Sequence, residues 1–174
     1  MKKLDELIRE KRWPDDGEVI QWNRGGGLVD LCNEIFKRND PDRYMIADVG
    51  VARGISTQIF AHYGKVLGVD HHLWDEAKAL IGIPNITLME EDTFAAAEFL
   101  RGKQEFDCVF LDTVHEEDFL TREIKAWLPL VKKGGVIAGH DYNVCYPGVQ
   151  WAVVKTLGGP DMVFSDSSWL KRLP

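Results

Sequence analysis

Short apolar runs alternate with longer stretches of helical period along most of this chain. Tyr44–Val49, Lys65–Val69, Ile86–Met89, Asp107–Leu111 and Gly135–Ala138 are brief and rich in Val, Ile and Phe. That is the pattern of strands buried on both faces. Helical stretches fall between them at Ser56–Tyr63, Trp74–Leu80, Thr93–Leu100 and Glu116–Val131. The last presents Phe119, Leu120, Ile124, Trp127, Leu128 and Val131 as one apolar face, and Lys132, Lys133 and Gly134 predict its end. A further helix is expected over Val149–Leu157, framed by Pro147-Gly148 and Gly158-Gly159. Met162–Phe164 and Ser168–Leu173 are spaced as a closing hairpin. Repeated strand–helix alternation predicts an α/β domain with a mainly parallel sheet and helices on both faces.

Residues 1–40 stand apart from this alternation. Leu4–Arg12 and Leu28–Lys37 have helical character, with a break at Pro14–Gly17. Trp13 and Trp22 have no helix or strand face that demands them, and Gly25-Gly26-Gly27 can absorb backbone rotation. One domain is expected over 1–174: a helical lid section at 1–40 that folds over the strand ends, and a core at 41–174.

A chain of 174 residues suits a single core, and 45% hydrophobic with 28% charged residues argues against disorder. The net charge of -7 lacks the basic clustering that nucleic-acid binding requires. No run approaches a membrane span, and no signal peptide is expected behind the charged start Met1-Lys2-Lys3. Cys32, Cys108 and Cys145 fit neither a disulfide framework nor a zinc pattern. A cytoplasmic protein is the simple expectation.

Chemistry concentrates after the strands, where open α/β sheets bind ligands. The first such loop is Asp48-Val49-Gly50-Val51-Ala52-Arg53-Gly54-Ile55-Ser56-Thr57. Gly50 permits a sharp turn, Gly54 keeps side chains away from a ligand, and Ser56 or Thr57 can cap the following helix. Asp70 ends the next strand, where an acid can accept both hydroxyls of a ribose. A pyrophosphate cradle needs G-x-G-x-x-G, but Val51 and Ala52 follow Gly50, and Asp48 would repel a pyrophosphate. Asp48 would tolerate a ligand bearing an ammonium and a sulfonium.

These residues resemble class I S-adenosylmethionine-dependent methyltransferases. Among those, the chain is similar to the small-domain group that includes the macrocin and cephalosporin-hydroxylase-like proteins. The resemblance spans roughly Tyr44 to Trp151. It rests on Asp48-x-Gly50-x-x-x-Gly54-x-Ser56, Val69-Asp70, Glu91-Asp92-Thr93, Phe110-Leu111-Asp112-x-x-His115 and Lys133-Gly134-Gly135-Val136 running to Gly139-His140-Asp141-Tyr142. It implies a Rossmann-like, doubly wound sheet of about seven strands, the last antiparallel. It also implies S-adenosylmethionine bound by the glycine loop (Asp48, Gly50, Ala52, Gly54, Ser56), with Asp70 on the ribose and Asp92 near the adenine. His71, Thr93 and Asp112 complete the expected cofactor set.

Asp112, His115, His140 and Asp141 follow two strands and are expected to converge above the sheet. Methyl transfer at a sulfonium asks the protein to orient the acceptor and remove its proton. His140 and His115 are the candidate bases and Asp112 a third catalytic candidate. Asp112 and Asp141 also suit a Mg²⁺ that would acidify a hydroxyl acceptor. Metal-dependent methyltransferases of the catechol type have Asn after the second acid, where this chain has Tyr142. Asp112 as a cofactor contact and Asp141 as a loop cap are equally open.

Asp112-Thr113-Val114-His115 lacks the Pro-Pro-aromatic of amino-directed nucleic-acid methylases, and no Cys follows a Pro. The expectation is O-methylation of a small hydroxylated molecule, with no nucleic-acid or membrane partner and a homo-oligomer left open. A methyltransferase fold with altered chemistry, or one that binds only cofactor or partner, stands second. A nicotinamide oxidoreductase stands a distant third.

Overall fold

The computed structural model describes residues 27–36 and 42–174. The elements run α1 (Gly27–Ile35), β1 (Met45–Val49), α2 (Ile55–Phe60), β2 (Lys65–Asp70), α3 (Asp75–Lys78), β3 (Ile86–Glu90), α4 (Thr93–Leu100), β4 (Phe106–Leu111), α5 (Glu117–Trp127), a 3-10 turn (Leu128–Leu130), β5 (Val131–Gly139), α6 (Pro147–Leu157), β6 (Met162–Val163) and β7 (Trp169–Arg172). The seven strands lie in the order β3-β2-β1-β4-β5-β7-β6. Neighbours among β1 to β5 pair in parallel, and β7 runs antiparallel to both β5 and β6.

Period-two alternation sends each central strand into two cores. Ile46, Cys108 and Phe110 pack with Leu28, Leu31 and Phe36 of the α1 region and with Phe60 of α2. Ala47, Val49, Val109 and Leu111 meet Ala96, Leu100, Ile124, Trp127 and Val153 on the other face. A side chain on either face leaves water, which is why these strands carry no polar alternation, Asp48 and the strand-end Asp107 being their acids. Cys32 and Cys108 are buried core thiols and Cys145 is exposed; all three are free.

Three expectations change. The helix predicted over Glu116–Val131 ends at Trp127 and tightens into a 3-10 turn over Leu128–Leu130, where Pro129 has no N–H to continue the α-helical hydrogen bonding. Lys132, Lys133 and Gly134 therefore belong to β5 rather than to a helix C-terminus. Lys132 Nζ pairs instead with Asp107 Oδ2 at 2.8 Å, and that oxygen also accepts from Met45 N–H at 2.7 Å. His62, which the sequence places in a helix, lies in the turn after α2, where burial lowers its pKa.

The lid expectation falls mostly outside the described residues, which include neither Trp13 nor Trp22. Its described part, α1, packs on a face of the sheet through Leu28, Leu31 and Cys32. Gly27 is the first helical residue rather than a linker. A Cβ there would lie 2.1 Å from Asp166 Cγ.

Candidate functional site

A cavity of about 590 Å³ opens at the C-terminal ends of β1, β2 and β4, a size typical of small-ligand sites. Gly50, Val51, Ala52, Arg53 and Ser56 form one wall, Asp70, His71 and Trp74 the next, and Glu91, Asp92 and Thr93 another. Asp112, Val114, His115, His140, Asp141 and Tyr146 close the far end. Asp48 and Gly54, both expected to bind cofactor, do not line it.

The first loop is shaped by left-handed backbone. Gly50 has φ +97°, and a Cβ there would lie 1.9 Å from the carbonyl oxygen of Asp112. Its glycine is required twice, for the torsion and for the approach of the two loops. Ala52 adopts φ +45°, and its N–H donates to Asp70 Oδ2 at 2.8 Å. The His72 N–H donates to the other Asp70 oxygen at 3.1 Å, and exposed His71 places Nδ1 3.1 Å from the same atom. Asp70 is thus held from behind by the loop. Gly54, at φ +81°, makes room for Leu80 Cδ1, which a Cβ would meet at 2.7 Å. The missing side chain thus lets the α3 region pack against the loop.

Ser56 and Thr57 do not cap α2. Both hydroxyls donate to Asp48 Oδ2, at 2.8 and 2.5 Å. Asp48 is fully buried, and its Oδ1 has no hydrogen-bond partner among the described residues. Burial pushes its carboxyl up, the two hydroxyls pull it back, and the outcome is a pKa of about 7. Asp48 therefore braces the loop from below.

Asp92 caps α4, its Oδ1 accepting from Phe94 N–H at 2.9 Å and Ala95 N–H at 3.1 Å. Thr93 Oγ1 accepts from Trp127 Nε1 at 2.8 Å. Trp74 is half exposed at the cavity, with Arg53 over its ring at 5.1 Å.

At the far end, Asp112, His115 and Asp141 each offer a ligand atom within 4.8 Å of the others. Asp141 takes φ +60°, a conformation Asp tolerates better than most residues. The turn is tied to the final strand: Trp169 Nε1 donates to the His140 carbonyl at 3.2 Å, and Tyr142 N–H donates to Ser167 O at 3.0 Å. The result places Asp141 Oδ2 between two imidazoles, 2.8 Å from His115 Nε2 and 3.3 Å from His140 Nδ1. His115 is therefore drawn to Asp141, α5 has no side-chain cap, and Asp141 pairs the two histidines.

The electrostatics follow from that sandwich. Burial works against a charged His140, but the hydrogen bond to Asp141 and the charges of Asp112, Asp141 and Asp166 outweigh it, raising its pKa to about 9. The hydrogen bond to Asp141 raises His115, against a smaller desolvation. Asp141 is desolvated, yet the two imidazoles hold its carboxyl well below the usual range. His140 is 4% exposed and His115 37%, so one imidazole is interior and the other meets solvent.

Two residues of this region are not singled out individually by the sequence. Tyr146 stacks on His115 with ring centroids 4.3 Å apart. Gly148 allows it, since a Cβ there would lie 2.4 Å from the His115 carbonyl oxygen. Glu123 is fully buried beneath the cavity, and Thr113 Oγ1 donates to its Oε2 at 2.6 Å. Burial raises its carboxyl to about 7 against the pull of the Thr113 and Thr93 hydroxyls. An acid among Leu120, Ile124 and Trp127 on one helix face is the signal that marks it.

A parallel sheet with an antiparallel β7, a glycine turn after β1 and an acid ending β2 define the methyltransferase fold. A family model described as a methyltransferase domain matches residues 47–142, more than half of the chain, and the chain belongs to that family. The match is to the methyltransferase domain at large and does not single out the macrocin and cephalosporin-hydroxylase-like group. No curated protein sequence matches the chain. Among solved structures it is similar to a TDP-rhamnose 3'-O-methyltransferase of calicheamicin biosynthesis, at 15% identity and TM-score 0.64, covering 97% of this chain and 90% of that one. It is also similar to an rRNA methylase from Streptococcus thermophilus, at 16% identity and TM-score 0.59, covering 83% and 93%. A third is a candidate methyltransferase from Streptococcus mutans in complex with SAH, at 14% identity and TM-score 0.61, covering 84% and 98%. At such identities the likeness is one of fold. Among the described residues no helix is long and apolar enough to cross a membrane.

Proposed function

We propose that this protein transfers a methyl group from S-adenosylmethionine to a hydroxyl of a small molecule. The observation that carries this is one cavity with two chemically distinct ends: the loop-held Asp70 at one and the His115–Asp141–His140 cluster at the other. The residues suit the cofactor. Asp70 presents a pre-oriented carboxylate to a ribose diol, and the acids lining the wall favour a ligand of net positive charge over a pyrophosphate. When bound, S-adenosylmethionine supplies a methyl group already activated by its sulfonium.

The chain's own task is then to place the acceptor oxygen and take its proton. Both histidines are biased toward the imidazolium form by Asp141. A cation bound beside them lowers their pKa values and frees one imidazole to accept a proton. His140 is the interior base, and Asp141 holds its ring and stabilises the imidazolium that forms. His115, on the same carboxylate, reaches solvent and gives the proton a way out.

The Mg²⁺ expectation fits less well. Asp112, His115 and Asp141 are close enough to share an ion, but the Asp141 oxygen is engaged by two imidazoles whose raised pKa values favour protonation, and a protonated imidazole is no ligand. Tyr142 replaces the oxygen donor that would follow. The rRNA methylase relative raises RNA as an alternative acceptor, which the acidic cavity wall disfavours.

Calorimetry with S-adenosylhomocysteine tests the cofactor. Asp70→Ala should weaken binding by about 1–3 kcal/mol through unmade charge-assisted bonds. Unchanged affinity would defeat the assignment.

A further inference from the structure

We propose that Glu123 is a positioning residue for the cofactor: from beneath the cavity its carboxylate holds the hydroxyls of Thr93 and Thr113, and so fixes two walls of the cofactor site against each other. This rests on the cofactor reading above and adds to that site a residue that does not itself line the cavity.

Geometry gives the first half of the argument. Thr93 opens α4 after β3, and Thr113 follows Asp112 after β4; both line the cavity, on separate loops. α5 reaches beneath both. Thr113 Oγ1 donates to Glu123 Oε2 at 2.6 Å, and the Thr93 hydroxyl donates to the same carboxylate. One turn further along α5, Trp127 Nε1 donates to Thr93 Oγ1 at 2.8 Å. A hydroxyl has a single hydrogen, and both threonines direct theirs down to Glu123. Each side chain is thereby oriented from below. For Thr113 the effect reaches the first loop, because its Cγ2 lies 3.2 Å from the place a Cβ on Gly50 would take. The tie thus runs from Glu123 through Thr113 to the glycine turn after β1. Through Thr93 it runs to the first turn of α4, which Asp92 caps.

Charge gives the second half. Glu123 is fully buried on the same helix face as Leu120, Ile124 and Trp127. Asp112 and Asp92 face it from the loops after β4 and β3, and both oppose its ionisation. Burial is the larger influence, and the carboxyl is pushed up to about 7. Ionising it inside the fold therefore costs stability, and a neutral side chain of the same shape avoids that cost. Packing alone does not call for an acid here. What the carboxylate adds over an amide is charge-assisted bonds to the two hydroxyls, roughly twice as strong as neutral ones. Buried acids perturbed in this way gather at functional sites. Both hydroxyls that Glu123 holds lie on the wall of this one.

Calorimetry with S-adenosylhomocysteine on the full chain, at about pH 8 where the carboxyl is ionised, provides the test. Glu123→Gln keeps the size and loses the charge. It should bind S-adenosylhomocysteine roughly three- to tenfold more weakly while melting no lower than the wild type. A residue that only supports packing would move affinity and stability in the same direction. Thr113→Val, which removes the hydroxyl, should cost a similar factor. The double variant should then bind within about twofold of the weaker single variant, because both changes break one tie. Thr113→Ser keeps the hydroxyl and should recover most of what Thr113→Val loses, which carries the test should Glu123→Gln fail to fold. Wild-type affinity in Glu123→Gln, a loss of affinity matched by a lowered melting temperature, losses that multiply in the double variant, or a Thr113→Ser no better than Thr113→Val overturns the proposal. Failure of S-adenosylhomocysteine to bind the wild type would instead defeat the cofactor reading, and it is seen before any variant is made.

Discussion

Replacing Asp141 by Asn removes one charge and little else. Asn tolerates the φ of +60° found at this position about as well as Asp does, so the turn keeps its shape. What is lost is the carboxylate between His115 and His140. The pKa of His140 is raised from 6.5 to about 9, and at roughly 1.4 kcal/mol per pH unit this corresponds to about 3 kcal/mol of stability. The direction follows from the raised base. Its contribution is complete below the unfolded pKa near 6.5 and disappears as pH climbs through about 9. Asp141 itself, held below its ordinary 3.8, contributes stability above that value and loses it as pH falls further. His115 is too exposed to add a comparable amount. Urea denaturation of both proteins at pH of about 6, 8 and 10 measures the difference. The wild type should lead Asp141→Asn by up to about 3 kcal/mol at the low end, and the gap should nearly close at the high end. A residual slope in the variant reflects Asp112 and Asp166, which also favour a charged His140. A gap that stays constant across this range, or that is absent at pH 6, refutes the reasoning.

Glu123 predicts a slope at lower pH. Its folded pKa of about 7 lies above 4.5, so it lowers stability as pH rises between these values, and Glu123→Gln should be more stable at pH 8 by up to about 3 kcal/mol in urea denaturation. Gly50→Ala forces a Cβ onto the Asp112 carbonyl at φ +97°; loss of S-adenosylhomocysteine binding and a fall in stability of at least about 1–3 kcal/mol are expected, and a normal melting curve with normal affinity would contradict this. Methyl transfer, once an acceptor is found, should survive a divalent-metal chelator; activity lost to chelator and restored by Mg²⁺ would reinstate the ion between Asp112 and Asp141.

The succession of core strands along the chain was legible because buried strands are continuous apolar runs, and those need no tertiary context to be seen. Boundaries shifted where a single residue overrode periodicity, as Pro129 does in an apolar face that otherwise continues to Val131. Site chemistry divided along the same line. Asp70, Asp112, His115, His140 and Asp141 were placed by a local rule, strand ends carry function, and the cavity brings them together. Their pairing was not legible, because the Asp141 contact to His115 joins residues from two strand ends and depends on a left-handed turn. Ser56 and Thr57 illustrate the opposite error. Local propensity favours a helix cap, but a buried carboxylate at Asp48 needs their hydroxyls more. Tyr146 lies in the Tyr142–Pro147 segment that the sequence offers as a substrate wall, but its stack on His115 was not legible, because it joins two loops. Glu123 did have one, an acid within an apolar helical face.

The position of β7 bears on how the site is assembled in time. This last strand of the sheet pairs with β5 and, through Trp169 and Ser167, holds the turn that carries His140 and Asp141. Until Trp169–Arg172 has docked, Val136–Gly139 is an apolar strand with an open hydrogen-bonding edge. Partly folded chains lacking β7 therefore have the glycine loop after β1 but not the His140–Asp141 turn, and they expose the surface most prone to pairing with another chain. Aggregation during refolding and loss of the histidine cluster thus share one origin, and substitutions at Trp169 should worsen both together.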